Sequence, residues 1–184
     1  MAAEPPKGPS VSPPAADCAY DRKAMLALDF DKFDQDPAGW RALDHKPGCT
    51  LAAAELISIY RRKVRQQAAG LAWHEGQLRA AEGDYARAIV LMEESRADGG
   101  HDGAYVDATI AFLRRDKPAL LEARARLAAL PQPDGFAEAA KRYNLTHAQP
   151  LTWPMNLNVV DRLIRCYDQS YRVAYGGECA SAAR

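Results

Sequence analysis

The stretch Leu71 to Arg96, LAWHEGQLRAAEGDYARAIVLMEESR, constrains this chain more than any other. Trp73, Gly76 and Ala80 recur at spacings of three and four, the repeat of one helical face, and Ala88, Ile89 and Met92 give a second such stripe. Between them Gly83-Asp84 makes a turn, with Asp84 placed to accept backbone N–H bonds as the cap of the second helix. Gly76 has no Cβ and lets a neighbouring backbone approach closely. The stretch therefore reads as a helical hairpin on which the rest must pack.

The segments before it are shorter and less regular. Met1 to Asp17 holds five prolines and no periodic apolar pattern, so residues 1–17 read as a flexible leader and residues 18–184 as one helical domain. A short helix is expected over Tyr20 to Leu28. The run DFDKFDQD fails the EF-hand pattern after Asp31 and reads as a solvated turn, anchored by Phe30 and Phe33, with aspartates capping the next helix. Pro37 opens a helix through Trp40 and Leu43, which Lys46-Pro47-Gly48 stops. Thr50 is the expected N-cap of a long helix to Gln67, with Ala53, Ile57, Tyr60 and Val64 inward. On its other face Arg61, Arg62, Lys63 and Arg65 read as a solvated cluster complementing the helix dipole, with contact to an acidic partner as the alternative.

A weaker copy of the hairpin follows. Tyr105, Ala108, Phe112 and Asp116 lie 32 residues after Trp73, Gly76, Ala80 and Asp84. Pro118 suits the first turn of the next helix, and Leu120, Leu121, Leu127 and Leu130 supply its apolar face. Phe136 to Tyr143 predicts a short helix, and Leu157, Val160, Ile164, Tyr167 and Tyr171 predict a continuous last one from Met155 to Ala174.

Gly76, the Gly83-Asp84-Tyr85 turn, Ala88, Ile89 and Met92 resemble a tetratricopeptide repeat, whose usual period is about 34 residues. Glu75 and Arg79 depart from it, standing where the family has leucine and tyrosine. The resemblance covers about residues 69–130 and implies an all-α fold of antiparallel helical hairpins: a two-repeat core with capping helices at the N- and C-terminal sides. It also implies a groove lined by the first helix of each repeat, which carries over to Trp73, His74, Gln77, Tyr105 and Thr109 as partner-binding residues. Trp73 and Tyr105 have core packing as their alternative role. Taken whole, with FDQD, GWRAL, WHEGQ, YVDATIAFLRRD and VVDRLIRCYD, the chain is also similar to a group of small uncharacterised bacterial proteins, which implies export.

Composition narrows the function class. Lys and Arg number 24 and so do Asp and Glu, which leaves no basic field for a nucleic acid. No apolar run approaches the ~20 residues that span a bilayer. The chain carries no Walker loop, dinucleotide fingerprint or Gly-x-Ser-x-Gly, and His74-Glu75 lacks the second histidine of a zinc-protease helix, Leu78 standing there instead. No catalytic residue, metal or cofactor is therefore expected. A hydrolase assembled from Asp34, His45 and His147 is the low-ranking alternative. Four cysteines, Cys18, Cys49, Cys166 and Cys179, match no zinc spacing. Two disulfides in an exported protein are expected, with four buried thiols in a cytoplasmic one as the alternative. Of three connectivities, Cys18 with Cys49 and Cys166 with Cys179 is favoured because each closes a short local loop. The expectation is thus a monomeric, periplasmic or secreted module that binds a protein or peptide. An immunity or inhibitor protein against a secreted toxin is its alternative.

Overall fold

A computed structural model describes residues 17–64, 68–97, 103–145 and 150–179. The leader up to residue 16, Arg65, the end of the helix predicted to reach Gln67, Gly100, His101 and His147 lie outside the described residues. Over the described residues the chain is all-α, with ten α-helices, one π-helical turn and no strand. Within the span taken from the sequence as one helical domain, the contacts fall into two compact units. The first runs to Asp102 and takes in Ser170–Arg172; the second comprises Gly103–Gln169 and the chain from Val173.

The first unit begins with α1 (Arg22–Ala27), where Asp21 Oδ1 accepts from Ala24 N at 2.9 Å as the cap. A π-helical turn (Asp31–Gln35) and α2 (Trp40–Asp44) follow, then α3 (Thr50–Arg61), α4 (Ala68–Ala81) and α5 (Tyr85–Ala97). The DFDKFDQD run is not a solvated turn. Phe33 and Asp34 are buried, and the Phe33 ring stacks on Tyr60 with centroids 3.6 Å apart. The following segment crosses the π-helical turn so closely that a Cβ at Gly39 would lie 2.1 Å from Phe33 O, so only glycine fits there. Thr50 is not the cap of α3 but its first residue; Cys49, bonded to Cys18, holds the capping position. The helix also stops early, at Arg61, where the chain tightens and Lys63 N bonds to Tyr60 O at 2.9 Å.

The hairpin of α4 and α5 turns at Gly83-Asp84, and Asp84 Oδ1 accepts from Arg87 N at 3.2 Å. A Cβ on Gly76 would sit 3.2 Å from Met92 Cγ and 3.3 Å from Ala88 O, so the missing side chain sets how closely α5 approaches. Leu71, Ala72, Trp73, Ala80, Ala88, Leu91 and Met92 are buried around this contact, as are Leu56, Ile57 and Tyr60 of α3.

The second unit contains α6 (Gly103–Leu113), α7 (Lys117–Ala128), α8 (Phe136–Asn144), α9 (Leu157–Arg165) and α10 (Tyr171–Gly176), the first two residues of which count with the first unit. Asp116 caps α7 through Ala119 N at 3.0 Å, and Pro118 lies in its first turn. Val106, Phe112, Leu120, Leu127, Val160 and Leu163 form its core. The last helix is not continuous: it breaks between Arg165 and Tyr171. Arg115 compensates for the break. Its guanidinium donates to Tyr167 O, and to Gln169 O at 2.7 Å, so carbonyls released from helical bonding find a charged donor instead.

The cysteines form two pairs at disulfide distance, Cys18 with Cys49 and Cys166 with Cys179, with Cα atoms 5.4 and 5.6 Å apart. Among the described residues no helix is long and apolar enough to cross a membrane.

Candidate functional site

The residues expected to line a groove divide by burial. Trp73, Tyr105 and Thr109 are 2%, 3% and 1% exposed, so these three are core residues and not a contact surface. The reason is steric: the closely packed helices enclose the large side chains, and the Thr109 hydroxyl turns back to Tyr105 O at 3.0 Å. Burial pushes the Tyr105 hydroxyl far above its ordinary range, helped by its bond to Tyr175. His74 and Gln77, one turn apart on α4, stay half-buried at the surface of the first unit.

Beneath His74 lies a carboxylate that the sequence placed in solvent. Asp34, 3% exposed, accepts from Trp40 Nε1 at 3.0 Å and from Gln35 Nε2 at 2.5 Å. His74 Nε2 is 3.6 Å from Asp34 Oδ1, beyond hydrogen-bond length, so their interaction is electrostatic. The other ring nitrogen faces Gln77 Oε1 at 3.4 Å. Arg41 lies 4.0 Å from Asp34, and its guanidinium sits 4.2 Å above the Trp40 ring, close enough for a cation–π contact. Burial holds the His74 imidazole below its ordinary range; the Asp34 charge opposes this shift and the Arg41 charge adds to it. At neutral pH the ring is uncharged and presents one donor and one acceptor.

The next residue faces the other way. Glu75 is fully buried, and its carboxylate meets Arg61 of α3 at 2.8 Å and Arg79, one turn along α4, at 3.5 Å. Each arginine reaches outward to a second acid: Arg61 to Glu94 at 2.6 Å and Arg79 to Glu55 at 2.5 Å. Five charges of alternating sign thus tie α3, α4 and α5 together. Burial alone would lower the Arg61 pKa, but the carboxylates of Glu94 and Glu75 outweigh it, and the group stays charged. Of the basic cluster read from the sequence, the described residues each find a partner within the first unit. Besides Arg61, Lys63 Nζ donates to Leu26 O at 2.7 Å and Arg62 to Ser58 Oγ at 3.3 Å.

Sequence reasoning did not assign Asp34, Trp40 or Arg41 to the His74 face, or pair Glu75 with arginines. One signal was available. Glu75 and Arg79 lie four apart, the spacing at which opposite charges meet on a helix, and both replace residues usual in the resembled repeat. Of the trio Asp34, His45 and His147, Asp34 pairs with His74 instead, and His147 lies outside the described residues. Among the described residues no group of three His, Cys, Asp or Glu side chains is placed to hold a metal ion. No family model matches the chain, and neither a curated protein nor a solved structure matches it.

Proposed function

We propose that the chain is a non-catalytic protein-binding module of the bacterial cell envelope, and that it recognises its partner through Arg41, His74 and Gln77. One observation carries this reading: a buried carboxylate, Asp34, holds the Trp40 indole and attracts His74 and Arg41 from below. Side chains positioned in advance lose little rotamer freedom on binding, and that is where an interface gains affinity. The His74 and Arg41 side chains are 23% and 29% exposed, so each offers a polar edge while its stem stays packed. An uncharged imidazole, an amide and a guanidinium suit the alternating donors and acceptors of a peptide backbone. The two cysteine pairs support an oxidising compartment.

The partners of Asp34 and His74 among the described residues are Gln35, Trp40, Arg41 and Gln77, none of which carries a nucleophilic hydroxyl or thiol. The test is affinity capture from periplasmic extract with wild-type chain and with His74→Ala/Gln77→Ala. The double variant should keep its helical circular dichroism and lose the captured protein. Equal capture by both would contradict the assignment.

A further inference from the structure

Beside the charge chain, on the first unit, a concavity of about 500 Å³ opens between Arg61, Arg62, Ala68 and Glu94. Its size falls within the range of small-ligand sites. We infer that it is a second recognition site, distinct from the His74 face, that takes one carboxylate, and that Glu94 occupies the place of that carboxylate in the unliganded chain.

The asymmetry around Arg61 carries this inference. Behind it, fully buried Glu75 fixes the guanidinium through Nε at 2.8 Å, so its orientation does not depend on what stands in front. In front, Nη1 meets Glu94 Oε1 at 2.6 Å. The Arg61 side chain is 11% exposed and that of Glu94 is 44% exposed, so the acid can turn into water while the base cannot. A half-exposed ion pair of this kind is weak and readily exchanged. Arg62 adds a second guanidinium, whose single partner among the described residues is Ser58 Oγ at 3.3 Å, long for a charge-assisted bond. Once Glu94 turns away, Arg61, Arg62 and Glu75 leave one net positive charge at the cavity among the described residues. A carboxylate neutralises that charge, whereas a doubly charged phosphate overshoots it. The guanidinium fork matches two carboxylate oxygens, and Ala68 offers an apolar wall to the stem that carries them.

The test is isothermal titration calorimetry on the full chain, with N-acetylalanine and an acetylated, amidated alanine peptide carrying a single glutamate as probes and inorganic phosphate as the contrast. Glu94→Gln removes the internal competitor and should tighten carboxylate binding by about three- to fivefold, the worth of one half-exposed ion pair. Arg62→Ala should weaken it. Glu55→Gln makes the same charge change in the same network away from the cavity and should leave affinity within about twofold. Tightening seen only with the peptide, or with both carboxylates, supports the site and identifies the source of the ligand. Glu94→Gln no tighter than Glu55→Gln, Arg62→Ala without effect, or phosphate bound more tightly than either carboxylate would overturn it.

Discussion

Replacing Glu75 by Gln keeps the side-chain shape and removes the central charge of the five-membered chain. Arg61 and Arg79, with side chains 11% and 15% exposed, then keep only the acids at their outer ends. Breaking a buried ion pair by deleting one partner costs about 3–5 kcal/mol, because the other charge is left uncompensated. Here both arginines retain an outer partner, at 2.6 Å for Arg61 and 2.5 Å for Arg79, so a smaller loss of about 2–3 kcal/mol is expected. With a urea dependence of about 1–3 kcal/mol per molar, the unfolding midpoint should fall by roughly 0.7–3 M. The assay is urea denaturation followed by far-ultraviolet circular dichroism with the disulfides intact. A second variant separates charge from packing: Arg61→Met/Glu75→Leu/Arg79→Tyr replaces the whole buried triad with apolar groups. Such exchanges are typically neutral or stabilising by about 1–4 kcal/mol, so the triple variant should match or exceed the wild-type midpoint. A Glu75→Gln midpoint within about 0.2 M of wild type would refute the reasoning, since the buried carboxylate would then be holding nothing.

Three further outcomes follow from the same packing. Trp73→Ala should cost about 3–5 kcal/mol and reduce the helical signal, as for a large core residue; a stable, folded variant would return Trp73 to the surface. Gly76→Ala improves helix propensity by about 1 kcal/mol, but its methyl meets Met92 Cγ at 3.2 Å and Ala88 O at 3.3 Å. A net loss in thermal melting is therefore expected, and a raised midpoint would show that α5 yields. His74 gives a pH dependence of defined sign. Its folded pKa lies below the ordinary 6.5, so its contribution is full above that value and is lost as pH falls through it, because the unfolded chain takes the proton first. Between pH 8 and pH 5 the wild-type urea midpoint should fall more than that of His74→Gln; equal slopes would remove His74 from the account.

The all-helical class was legible because the apolar stripes of Trp73-Gly76-Ala80 and Ala88-Ile89-Met92 depend on local spacing alone. The close approach at Gly76 and the turn at Gly83-Asp84 were legible for the same reason: one residue's chemistry sets each. Burial of particular side chains was not. Trp73 and Tyr105 have the composition of a contact surface and the size of a core, and only the packed neighbours decide between these roles. Asp34 looked solvated because aspartates surround it, yet the Trp40 indole N–H, six residues on, needs an acceptor in the interior and takes that one. The break after Arg165 was hidden because apolar periodicity continues across it. The donor that satisfies the freed carbonyls is Arg115, 52 residues earlier in sequence than Tyr167. Spacing favoured the cysteine pairing without fixing it: of three connectivities, the one with the shortest loops forms, its partners 31 and 13 residues apart. What Glu75 does was readable only in part, from its i,i+4 relation to Arg79; Arg61 comes from another helix.

The binding face is tested most directly by placing a photo-crosslinking residue at the exposed Ala38, two residues before Trp40, and, as control, at the exposed Arg87 on α5, then irradiating the full chain in periplasmic extract. One discrete adduct is expected from position 38, with its loss when His74→Ala is added, and none from position 87. Adducts of equal yield at both positions, or an adduct at position 38 that persists with His74→Ala, would contradict the assignment of the face.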